Sequence, residues 1–167
     1  MADGGASSFI MLITALLVSG GASSLLINEW SDAVQVTTKA DRKAMISGEI
    51  SVTFAGDPAM VSYDDNPTGP AFESMTFYLL NDGLHELSTT NYQLLIDGIA
   101  PSGVSFAFVA SATAWGPGDM VEVTADDTSF GYSDGDDVRI FFTGSSVKVG
   151  GFIHSVTTNE EVRLHVV

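Results

Sequence analysis

The chain has 167 residues, no cysteine, and 21 acidic against six basic residues, a formal charge of −15. That balance repels phosphate backbones and, with no basic patch interleaved with aromatics, excludes nucleic-acid binding; the missing cysteines exclude a disulfide framework and a thiolate metal site. With 45% hydrophobic residues the chain is not a disordered acidic tail, and its acidity suits a folded surface in high salt, where screening removes most self-repulsion.

The first element is an apolar run, FIMLITALLVSGGASSLLI, over residues 9–27. Its 19 residues carry no charge and reach roughly 30 Å as a helix, the thickness of a bilayer's hydrocarbon core. The run is longer than a signal peptide's apolar core, and Asp3 is the only charge before it, so it reads as a retained membrane anchor. Beyond it Leu26, Trp30, Ala33, Thr37, Ala40 and Ala44 recur at spacings of four and three, which carries the helix to about Ile46. Traced backward, the stripe passes Ser23 and Ser19 beside Gly20, a small-residue seam that permits close helix approach. Ser19, Gly20, Ser23 and Trp30 are the candidate helix-packing residues, and self-association through them is the expectation.

Residues 1–46 thus form an anchor with a helical extension, and residues 47–167 a separate domain. There the period changes to two. Short strands are expected over residues 50–54, 60–63, 75–80, 92–96, 104–109, 120–124, 138–142, 152–156 and 162–167. The joints carry turn residues: Gly56-Asp57-Pro58, Asn66-Pro67-Thr68-Gly69-Pro70, Asn81-Asp82-Gly83, Asp97-Gly98, Trp115-Gly116-Pro117-Gly118-Asp119 and Ser133-Asp134-Gly135-Asp136. No helical pattern separates the strands, so about nine of them predict a mainly β fold, an immunoglobulin-like antiparallel sandwich behind a transmembrane helix.

Motifs for chemistry are sparse. No G-x-S-x-G elbow, P-loop or dinucleotide fingerprint occurs, and Asn66-Pro67-Thr68 is barred as a glycosylation sequon by its proline. His85, His154 and His165 lack zinc-ligand spacing and read as ordinary strand or turn residues. Asp134, Asp136 and Asp137, with Asp126 and Asp127, offer oxygens of the kind Ca²⁺ takes, although no EF-hand pattern organises them. No catalytic residue, cofactor site or metal ligand is assigned, and an enzyme is not expected.

The arrangement resembles the type IV pilin and archaellum superfamily. The segments SSFIMLITALLVSGGASSLLINEWSDAV, MTFYLLNDGLHEL, NYQLLIDG and WGPGDMVEV are similar to the archaeal flagellar protein G family (FlaG) of haloarchaeal type, with the sister flagellar protein F next. The resemblance spans most of the chain and implies a stator subunit of the archaellum. Its sandwich would lie outside the cell membrane, assemble with flagellar protein F and link motor components to the S-layer protein. It also implies that Asn81, Asp82 and Gly83 form a turn in which the glycine supplies a positive φ. MADGGASS contains no Lys or Arg, so the peptidase processing of archaellins is not expected. Lys39, Arg42 and Lys43 on the domain side would, by the positive-inside rule, place the domain in the cytoplasm. The external placement implied by the family is the expectation adopted. The alternative is a minor subunit of an archaellum or pilus-like filament with its helices in the core.

Overall fold

The computed structural model describes residues 3–65 and 72–167, so the expected Asn66-to-Pro70 turn lies outside the described residues. The chain is mainly β: one long N-terminal helix followed by a sandwich of eight strands. It divides into two compact units between Ala44 and Met45.

The first unit is carried by α1 (Asp3–Gly48), 46 residues and about 69 Å long. Gly5–Gly48 is long and apolar enough to cross a membrane, and its most apolar stretch has no buried residue. Two hydroxyls inside this stretch are satisfied by the turn before them: Thr14 donates to the Ile10 carbonyl and Ser23 to that of Ser19, each at 2.8 Å. Such back-bonding lets small polar residues sit in an apolar helix without an unsatisfied donor.

The second unit contains β1 (Thr53–Ala55), β2 (Val61–Asp64), β3 (Glu73–Leu80), β4 (Leu87–Ile96), β5 (Gly103–Phe108), β6 (Met120–Asp127), β7 (Asp137–Ser146) and β8 (Ser155–Val166). Hydrogen bonding runs in the order β4-β7-β8-β2-β3-β6-β5, with β1 on β3 beside β2. The sheets meet in β8, whose residues from Ser155 to Arg163 pair antiparallel with β7 while Leu164, His165 and Val166 pair parallel with β2.

Alternation fixes which face is core. Met75, Phe77 and Leu79 of β3, Val121, Val123 and Ala125 of β6, and Val138, Ile140 and Phe142 of β7 are buried at every second position. Their outward neighbours are polar or half-buried. Tyr92, Phe106, Trp115 and Phe142 pack ring to ring at centroid distances of 4.7 to 6.4 Å, which ties β4 and β7 to β5 across the sandwich.

The strands expected over residues 92–96 and 138–142 lengthen to ten residues each, Leu87–Ile96 and Asp137–Ser146, and three further details differ from expectation. The expected strand over residues 50–54 shrinks to Thr53–Ala55, since Ile50 and Val52 enter the core without pairing to a neighbour. The two strands expected over residues 152–156 and 162–167 are one continuous β8, so the described residues hold eight strands where nine are expected. Polar Thr157, Asn159 and Glu161 lie on its outward face and half-buried Thr158 and Glu160 on the other, which hid the strand from a hydrophobic alternation. The parallel β2–β8 pairing is the third, an exception in an otherwise antiparallel sandwich.

Candidate functional site

The helix-packing residues sit on one continuous helix. Ser19, Gly20, Ser23 and Trp30 are all exposed, Trp30 by 74%. Nothing approaches the place a Cβ would take at Gly20 or Gly21, so close approach by another helix is sterically open. The Ser23 hydroxyl is already committed to the Ser19 carbonyl at 2.8 Å.

Where α1 ends, the chain is gripped. Ile46 and Ile50 are buried in the sandwich core, so the last helical turn is itself part of the second unit. The Leu84 amide donates to the Glu49 carbonyl at 2.7 Å, and His85 Nε2 lies 2.8 Å from a Glu49 carboxylate oxygen. Gly83 completes the grip by closeness: an added Cβ would stand 2.6 Å from the Ser51 nitrogen and 2.8 Å from the Glu49 carbonyl oxygen. Its φ is not positive, so the conformational reason expected for this glycine is replaced by a steric one.

Asn81 holds that loop. Fully buried, it donates through Nδ2 to the carbonyls of His85 and Trp115, both at 2.9 Å, and accepts from the Gly83 amide at 3.1 Å. Its backbone donates to Asp119 and accepts from Gly118. The Trp115 indole also donates to the Asp119 carbonyl at 3.1 Å. Thus the NDG and WGPGD turns, 34 residues apart at Asn81 and Trp115, form one polar-satisfied cluster behind the helix exit.

The acidic turns do not converge. Asp137 takes Arg163 through both oxygens at 2.9 Å, which holds its carboxyl below the usual carboxylate range. Asp136 accepts from the Ser133 amide, and Asp134 from that of Val166 with His165 Nδ1 at 3.3 Å. Asp127 is likewise held low by the Ser129 hydroxyl and amide, with the Ser102 amide on its other oxygen. Asp126 lies on the outward face of β6, away from the core. Among the described residues no group of three or more His, Asp or Glu is placed to hold a metal ion. His154 is buried against Phe152, and its Nε2 has no hydrogen-bond partner.

The Glu49–His85 pair and the role of Asn81 escaped the sequence reading, since local pattern does not show contacts across 36 and 34 residues. A buried-type Asn inside NDG, followed by a Trp-containing turn, was the available signal. No family model matches the chain, and no curated protein matches it. Among solved structures it is similar to one described as "Structure of the N-terminal domain of PorA", at 13% identity and a TM-score of 0.30, covering 67% of this chain and 96% of that one. That likeness is too slight to bear on fold or function.

Proposed function

We propose that this chain is a non-enzymatic, membrane-anchored subunit that transmits load, acting as a stator of the archaellum for swimming motility. The observation that carries this reading is the exit of α1. A helix able to cross a membrane runs without a linker into core residues Ile46 and Ile50, and Glu49 is pinned beside it. Force reaching the last turn of the helix would therefore be resisted by the sandwich core. Holding needs no turnover. The family resemblance supplies the partners: flagellar protein F and motor components near the membrane, and S-layer protein on the sandwich, which would face the exterior.

A second reading is favoured by one observation. Exposed apolar residues run along α1 from Phe9 to Ile27 with no charge among them, as suits a helix bundled in the core of a filament. A minor filament subunit would resist mild detergent as a particle; a stator would be extracted.

The deciding experiment uses the absence of cysteine. Ser7→Cys and Ser133→Cys, both at exposed positions, are labelled separately on intact cells with a membrane-impermeant maleimide, then crosslinked and the captured proteins identified. Labelling at position 133 with recovery of archaellum or S-layer proteins supports the stator. Labelling only at position 7 places the domain in the cytoplasm, as Lys39, Arg42 and Lys43 would have it, and overturns the proposal.

A further inference from the structure

The outward face of β4, β7 and β8 is built in rows of residues opposite one another. Gln93, Thr143 and Thr157 make one row, Leu95, Phe141 and Asn159 the next, then Arg139 with Glu161, then Asp137 with Arg163. The first two rows are uncharged, with the hydroxyls of Thr143 and Thr157 3.1 Å apart. In the last two each arginine meets a carboxylate, Arg139 to Glu161 at 3.2 Å and Arg163 to Asp137 at 2.9 Å. A groove of about 520 Å³ lies here, with half-buried Leu95 and Phe141 in it and Asp97, Arg139 and Glu161 around them.

This face differs in charge from its counterpart. The outward side of the other sheet carries Asp64, Glu122 and Asp126 and no Lys or Arg, with His165 where β8 joins β2. Two copies of a chain with a formal charge of −15 repel one another over most approaches. Only Arg139, Lys148 and Arg163 are basic after residue 47, and both arginines stand on this face. An uncharged centre with an aromatic residue and arginines beside it has the composition of an interface core. A contact about a twofold axis needs a self-complementary patch, and where such a patch is charged it must hold both signs, so that arginines of one copy meet carboxylates of the other.

We propose that the outward β4-β7-β8 face is a self-association surface, on which a second copy of this chain docks with Leu95 and Phe141 at the centre and the arginine rows at one side. Three strands at about 4.8 Å spacing and roughly 33 Å length offer about 500 Å² per partner, the lower end of specific interfaces. The contact is therefore weak in dilute solution and forms when copies share a membrane, where the effective concentration is high. In that respect it rests on the membrane-anchored reading above.

The test uses the full-length chain reconstituted in lipid vesicles. Thr157→Cys on this face, Ser105→Cys on the outward side of the other sheet and Ser23→Cys in the helix seam are each exposed to a short bis-maleimide. Crosslinking at position 157 is expected to run at least tenfold faster than at 105. Arg139→Glu with Arg163→Glu should slow it about tenfold, while Arg139→Lys with Arg163→Lys retains it, which separates charge from folding. Equal rates at 157 and 105, or no effect of charge reversal, overturns the proposal. Crosslinking at position 23 without crosslinking at 157 also overturns it and leaves the anchored, helix-paired reading standing. In cells, capture at position 157 of a different protein and never of a second copy overturns it as well.

Discussion

The Nε2 of His85 lies 2.8 Å from a carboxylate oxygen of Glu49, the residue immediately after the last residue of α1. The pair fastens the loop after β3 to the chain as it leaves the helix. Both side chains are partly exposed, so the contact contributes on the order of 0.5–1 kcal/mol. His85→Ala should lower the melting temperature of the purified protein by a few degrees at neutral pH, read by circular dichroism. An unchanged melt would show that the Leu84-to-Glu49 backbone bond alone holds the loop.

Gly83→Ala should cost more. The new methyl would meet the backbone of Glu49 and Ser51 at 2.8 and 2.6 Å, atoms that move only if the helix exit moves. A loss of roughly 2 kcal/mol or more is expected, in the range of overpacking. Gly98→Ala, at a φ of 84° in the Asp97-Gly98 turn with open space around it, should lose about 1 kcal/mol from backbone strain alone. Urea unfolding of both variants checks the order, and a smaller loss at Gly83 than at Gly98 would contradict the steric account.

Asn81→Asp should unfold the second unit's clamp more severely than Asn81→Ala. The alanine takes the Asn81 donor from the His85 carbonyl and the acceptor from the Gly83 amide, at about 1–3 kcal/mol in all, while the Trp115 carbonyl keeps the Leu87 amide. The aspartate goes further and buries a negative charge against those same oxygens. The measurement is the urea midpoint of each variant, with near-ultraviolet circular dichroism following Trp115.

Asp127 and Asp137 set the acid side of stability. Hydrogen bonds from Ser129 hold Asp127 low, and Arg163 holds Asp137 low. A carboxyl with a depressed folded pKa contributes stability that is present above its unfolded value, about 3.9, and is lost as pH falls through the folded value. Asp127→Asn should therefore destabilise the protein at pH 7, and the difference from the parent should shrink as pH is lowered below about 4. A difference that stays constant from pH 7 to pH 3 would show that the amide disturbs packing instead.

Salt should stabilise. With a formal charge of −15 the native state repels itself, and raising ionic strength shortens the screening length from about 10 Å at 0.1 M to about 3 Å at 1 M. The melting temperature should climb between 0.1 and 1 M KCl, and a flat response would remove the high-salt reading of the composition.

Much of the architecture was legible along the chain because it is written in local period. The switch near Ile46 from apolar helix to alternation marks where α1 gives way, within two residues of Gly48. The alternations at Met75, Phe77 and Leu79 and at Val121 and Val123 placed β3 and β6 because each strand buries one face only. Asp97-Gly98 marked its turn by the residues that tolerate positive φ, and both adopt it, at 49° and 84°. β8 was misread where polar side chains occupy both of its sides, since hydrophobic alternation is then no guide to backbone pairing.

The sequence by itself determined the anchor-like helix, the mainly β class of the rest and the acidic character of its surface, because length, period and charge are additive along a chain. Only the tertiary structure decided that β8 serves both sheets, that Gly83 is needed for closeness, that Asn81 joins two distant turns, and that both arginines meet on one sheet face. Each of these is a relation between residues far apart in sequence, fixed by strand register and close packing, and no local propensity encodes it.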